Sequence, residues 1–167
     1  IETGFAKEVE KGRMTAEAQQ AAVGNLVTTS DLGALKDADI VIESIVEDLP
    51  TKHAAFDKLE SICRPDAVFA SNTSTLGITE MAVKTKRPDR FIGLHFLNPA
   101  TAMKMVEIAT TLGTKPEVTA SVKKLVTELG KTPVLVPDST GFIVNRLLVP
   151  YLLDAINAWR SGAGSIA

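Results

Sequence analysis

Five short apolar runs alternate with helix-length segments over residues 39–136, and this alternation restricts the fold more than any other feature of the chain. The runs are residues 39–46 (DIVIESIV), 67–70 (AVFA), 91–96, 104–109 (KMVEIA) and 132–136. The first is dense in β-branched residues, the composition of a strand covered on both faces. Between the runs, residues 52–62 place Ala55, Phe56, Leu59 and Ile62 at helical spacing, and Arg64-Pro65-Asp66 breaks that segment. Residues 78–83 form a further helix, and residues 116–129 an amphipathic one with Gly130 as C-cap. Strands alternating with helices predict an α/β domain with a largely parallel sheet.

The flanks read differently. Residues 1–12 (IETGFAKEVEKG) match neither a signal peptide nor a capped helix start, and they read as the middle of a longer chain. Residues 16–26 are helical in composition, with Thr15 as N-cap, and a short β-branched run follows at 27–29. Residues 137–141 form a breaker-rich joint. After it, residues 142–159 make one long apolar helix containing Pro150, the entrance to a second, helical unit.

With 167 residues and 45% hydrophobic content the chain can build one ordinary core. A net charge of −2 and a pI near 5.7 give no electrostatic footprint for nucleic acid or an anionic membrane. One cysteine forms no internal disulfide, and no Cys/His cluster would hold zinc, so no metal is expected and a reducing, cytoplasmic compartment is. No segment approaches the ~20 apolar residues of a membrane-spanning helix.

Ligands of open α/β sheets bind beyond the carboxyl ends of the strands. That rule singles out Glu47 and Asp48, residues 71–75, and residues 95–99. His95 is the strongest acid–base candidate, because histidine titrates near neutrality. If residues 91–96 and 104–109 form a hairpin turning near Thr101, the residue opposite His95 is Glu107, whose carboxylate would orient the imidazole. A histidine at a strand end also serves by bonding a nearby backbone group, and the spacing leaves both readings open. Ser74 sits where Ser and Thr commonly cap helices. Asn145, in the first turn of the long helix, would ordinarily face water or the helix end. His53 reads as solvated and Cys63 as an inert core thiol. Trp159 with Leu152, Leu153 and Ile156 reads as packing or a partner interface. Residues 162–167 match G-x-G-x-x-A by letter, but they follow a helix, whereas a phosphate cradle follows a strand and opens a helix.

Four stretches identify a family. ASNTSTLGIT (70–79), RFIGLHFLNPATAMKMVEI (90–108) and DSTGFIVNRLLVPYLLDAI (138–156) resemble L-3-hydroxyacyl-CoA dehydrogenases, and IVIESIVEDLPTKHAAF (40–56) resembles the segment preceding them. The resemblance implies a Rossmann-type sheet over residues 1–137 as a partial NAD-binding domain. Residues 138–167 would then be the linker and first helix of an all-α, dimer-forming C-terminal domain. It implies NAD as cofactor, an acyl-CoA substrate and a homodimeric complete protein, in the bacterial cytoplasm or the mitochondrial matrix. The implied catalytic set is His95, Glu107, Ser74 and Asn145. His95 would take the proton of the 3-hydroxyl as hydride leaves C3, with Glu107 as its orienting partner. Ser74 and Asn145 would hydrogen-bond the reacting oxygen and nearby substrate atoms. Asn98 and Ser74 would contact the cofactor, and Glu47 and Lys52 would line its nicotinamide-ribose side.

One departure stands beside the resemblance. Members of the family begin with a strand, a G-x-G-x-x-G turn, a helix and a second strand, and these 167 residues contain no such unit. The sheet is therefore expected to lack its first βαβ unit, and the isolated chain to bind NAD poorly. Two other functions remain: a related dehydrogenase of a hydroxy acid or sugar acid, and a non-catalytic module that keeps the fold.

Overall fold

The computed structural model describes residues 2–164, which fall into two compact units that divide between Ala34 and Leu35. The first unit is a pair of helices. Helix α1 (Glu2–Glu10) arises where the sequence showed no capped helix start. Five of its nine residues, Glu2, Ala6, Lys7, Glu8 and Glu10, are good helix formers, and Glu2 in the first turn with Lys7 in the last suits the helix dipole. Gly12 ends it with φ of +67°. Thr15 caps α2 (Ala16–Gly24) as expected, its hydroxyl accepting from Ala18 N at 3.1 Å. The run at 27–29 enters no strand, and Val27 is exposed.

The second unit is built on a five-stranded sheet in the order β1 (Ile40–Glu43), β2 (Val68–Ser71), β3 (Phe91–Phe96), β4 (Met105–Thr110), β5 (Thr132–Pro137). Strands β1, β2 and β3 run parallel, β4 turns back on β3, and β5 follows β4 in parallel. Three of the four pairings are parallel, so the largely parallel sheet expected from the sequence is what forms. Strand β1 is shorter than the apolar run at 39–46. The reason is local: Glu43 Oε1 accepts from Ile45 N at 2.6 Å and turns the chain out of the ladder.

Period-two alternation splits the apolar residues between two faces. Phe69, Phe91 and Ala109 join Phe56 and Leu59 of α3 (Leu49–Glu60) and Ile78 and Met81 of α4 (Ile78–Ala82) on one side. Ala70, Ile92, Leu94, Val106 and Ile108 meet Val118, Val122 and Val126 of α5 (Pro116–Glu128) on the other. Helix α3 starts three residues before the periodic segment, because Asp48 Oδ2 accepts from Thr51 N at 3.0 Å as an N-cap. At the far end of the sheet, buried Arg87 pairs with Glu60 at 3.0 Å and donates to the carbonyl of Arg64 at 2.6 Å. Its guanidinium lies 4.3 Å from the centre of the Phe69 ring.

Beyond β5, Gly141 (φ +76°) and Phe142 (φ +44°) turn the chain into α6 (Val144–Arg160), two residues later than the apolar pattern alone suggests. Helix α6 buries none of its residues, and Leu152, Leu153, Ile156 and Trp159 are all exposed. Among the described residues no helix is long and apolar enough to cross a membrane. The accidental G-x-G-x-x-A match lies partly outside the described residues, which end at Gly164; Gly162 falls in the turn after α6.

Candidate active site

The β3–β4 register is centred on the turn near Thr101, and it sets His95 directly opposite Glu107. His95 Nδ1 lies 2.8 Å from Glu107 Oε2, and both residues are buried. A carboxylate only accepts, so Nδ1 carries a proton, and in the neutral imidazole Nε2 keeps its lone pair. Ser74 Oγ stands 3.1 Å from Nε2, where it donates to that lone pair. Phe142 packs near the imidazole with ring centres 5.7 Å apart, which restricts the ring further.

The second carboxylate oxygen of Glu107 has its own partners. Oε1 accepts from the amides of Ile143 at 2.9 Å and Val144 at 3.0 Å, at the start of α6. The buried carboxyl group thus faces a helix N-terminus and has three hydrogen-bond partners. The same helix start brings Asn145 to the site, with Nδ2 3.5 Å from the Ser74 carbonyl.

Ser74 is not the helix cap its position suggested. Asp138 caps α4 instead, accepting from Ile78 N at 2.9 Å and Thr79 N at 2.8 Å. The Ser74 loop is gathered by Glu47, whose Oε1 accepts from the Thr73 hydroxyl, Ser74 N (3.1 Å), Thr75 N (3.2 Å) and the Thr75 hydroxyl (3.1 Å). Partial burial raises the Glu47 pKa, but these four hydrogen bonds outweigh it and hold the carboxyl below its ordinary value. Lys52 is 1% exposed, with Nζ 2.6 Å from Glu43 Oε1 and 3.5 Å from Glu47 Oε2.

His95, Ser74, Asn145 and Asn98 all line one cleft of about 560 Å³, with Asn72 and Leu148 among its other walls. Glu107 stands behind His95. Glu47 and Lys52 stand behind the Ser74 loop, and Lys52 is enclosed there. Sequence reasoning singled out residues 71–75 but gave no role to Asn72, whose Oδ1 accepts from Phe96 N at 2.8 Å and ties the ends of β2 and β3. It also passed over Glu43, which sits inside an apolar run and reads as a strand's polar edge. A carboxylate in a run otherwise covered on both faces was the available signal. His53, expected in solvent, is half-buried, with Nε2 3.1 Å from the Glu80 carbonyl. Cys63 is buried as expected, and burial pushes its thiol pKa up.

Comparison with known proteins gives this arrangement a family. Residues 1–139 match the model of the 3-hydroxyacyl-CoA dehydrogenase, NAD binding domain. The chain is 37% identical over 165 residues to the 3-hydroxybutyryl-CoA dehydrogenase of Clostridioides difficile, covering 99% of this chain and 59% of that protein. It is 41% identical over 162 residues to human mitochondrial hydroxyacyl-coenzyme A dehydrogenase, covering 96% of this chain and 51% of that one. The crystal structure of (S)-3-hydroxybutyryl-CoA dehydrogenase from Ralstonia eutropha superimposes with a TM-score of 0.95 at 34% identity, over 98% of this chain and 58% of that one. The chain thus spans little more than half the length of the relatives it matches. By matched family model, shared sequence and shared fold, it belongs to the 3-hydroxyacyl-CoA dehydrogenase family, in that family's NAD-binding domain.

Proposed function

We propose that the complete protein oxidises L-3-hydroxyacyl-CoA to 3-oxoacyl-CoA with NAD. The observation that carries this reading is His95, held at Nδ1 by Glu107 and open at Nε2 toward Ser74 and the cleft. In the oxidation direction Nε2 takes the proton of the substrate's 3-hydroxyl. Ser74 and Asn145 hydrogen-bond the reacting oxygen and its neighbours, and Glu107 keeps the imidazole turned to present the bare nitrogen. NAD, when bound, supplies the two-electron acceptor for the hydrogen leaving C3.

The residues present suit the nicotinamide end of that cofactor. Glu47, Ser74 and Asn98 offer polar groups just beyond β1, β2 and β3, where ligands of such sheets bind. Lys52 bears on that side through Glu47. A glycine-rich turn following a strand, which would cradle the pyrophosphate, is not among the 167 residues. The reading places a domain boundary between Pro137 and Asp138, and it takes the apolar α6 as part of a helical domain in a homodimeric complete protein.

A substrate panel tests the assignment. The complete protein is expected to consume NADH with acetoacetyl-CoA and to reduce NAD with L-3-hydroxybutyryl-CoA. Turnover only of unesterified hydroxy acids or sugar acids would overturn the substrate, and no turnover of any of them would leave a module that keeps the fold without the chemistry.

A further inference from the structure

We propose that Glu43 is a positioning residue: with Lys52 it fixes Glu47, and Glu47 holds the Ser74 loop against His95. Glu43 ends β1 with 6% exposure, and both its oxygens are committed. Oε1 receives Lys52 Nζ and Ile45 N, each at 2.6 Å, and Oε2 receives the Ser71 hydroxyl at 2.6 Å. The chain leaving β2 is tied to the same residue, since Asn72 N donates to the Glu43 carbonyl at 2.8 Å. Held this way, the Lys52 ammonium reaches Glu47 at Oε2, 3.5 Å away. That leaves Oε1 of Glu47 free to collect the four donors of residues 73–75. The last link is Ser74 Oγ at 3.1 Å from His95 Nε2.

Stability alone does not account for the arrangement. A buried ion pair rarely stabilises a fold more than apolar residues of the same volume would. What this one does that apolar packing would not is assign each oxygen of Glu47 to a different partner. A mere staple of α3 to the sheet would need Lys52 and Glu43 but no second carboxylate on the loop side.

The loop geometry stands by itself, while its catalytic consequence rests on the function proposed above. The test is amide hydrogen exchange on the complete protein with Glu43→Gln, and with Glu43→Gln/Lys52→Met, which removes both charges at similar volume. The amides of Ser74 and Thr75 are expected to exchange ~10-fold faster or more, while Val106 and Ile108 in β4 keep their rates. Unchanged Ser74 and Thr75 amides in a folded variant would overturn the proposal, as would core amides that speed up by the same factor. In the complete enzyme, Glu43→Gln is expected to lower kcat ~10-fold with KM for the acyl-CoA within about twofold. A raised KM at unchanged kcat would overturn the positioning role. If the complete protein has no dehydrogenase activity, the function proposed above fails, while the exchange rates still decide the role of Glu43.

Discussion

Glu107 divides its carboxylate between the imidazole of His95 and the first amides of α6, and with no exposed surface it has no water to replace either partner. Truncation to alanine leaves the buried imidazole N–H and two part-buried amides without their acceptor, each costing about 1–3 kcal/mol. Glu107→Ala is therefore expected to lower the free energy of unfolding by at least ~3 kcal/mol, read from denaturant titration. A loss under ~1 kcal/mol would mean that the site relaxes and re-pairs those donors. Half of this arrangement was legible in the sequence. Equal spacing of His95 and Glu107 about Thr101 is a local property of a hairpin, so simple counting finds the pair. The bonds from Ile143 and Val144 to Glu107 join residues 36 and 37 apart in the chain, and no periodicity reports them. Ser74 shows the same limit. A serine after a strand reads as a cap until the fold supplies a competing acid, here Asp138, some 60 residues away.

At the scale of elements, the site depends on how closely α4 lies on β3. Gly93 makes that approach possible. A Cβ built there would stand 2.8 Å from both Ala109 Cβ and Ile78 Cδ1, so neither the neighbouring strand nor the helix leaves room for it. Gly93→Ala is expected to cost about 1–3 kcal/mol in the same titration, because two packed side chains must shift. A neutral effect would show that α4 rides loosely on the sheet. The strands and helices of the second unit followed from their apolar periods, with ends displaced wherever a side chain intervened. Asp48 extends α3 backward and Glu43 cuts β1 short. Helix α1 went unread because Glu2–Glu10 mixes good helix formers with Thr3, Gly4, Phe5 and Val9 and shows no regular apolar period.

Across the whole molecule, the parallel strands β2 and β3 end at the cleft while β4 returns from it, so His95 leaves the sheet where Glu107 enters. That reversal is what lets one sheet present a base, its carboxylate and the Ser74 loop on a common edge. The sequence pattern foretold a largely parallel sheet and this hairpin, and the strand pairing shows both. It did not foretell the link from buried Glu43 and Lys52 out to Glu47, because three charges scattered over ten residues read as ordinary solvated polarity. The central claim is that His95 moves the substrate's proton. The most direct measurement is kcat of the complete protein with acetoacetyl-CoA and NADH, before and after His95→Gln. The glutamine is expected to lower kcat by ~10²-fold or more, the scale of a lost acid–base group, with little change in KM. Turnover close to that of the unsubstituted protein would remove His95 from the reaction.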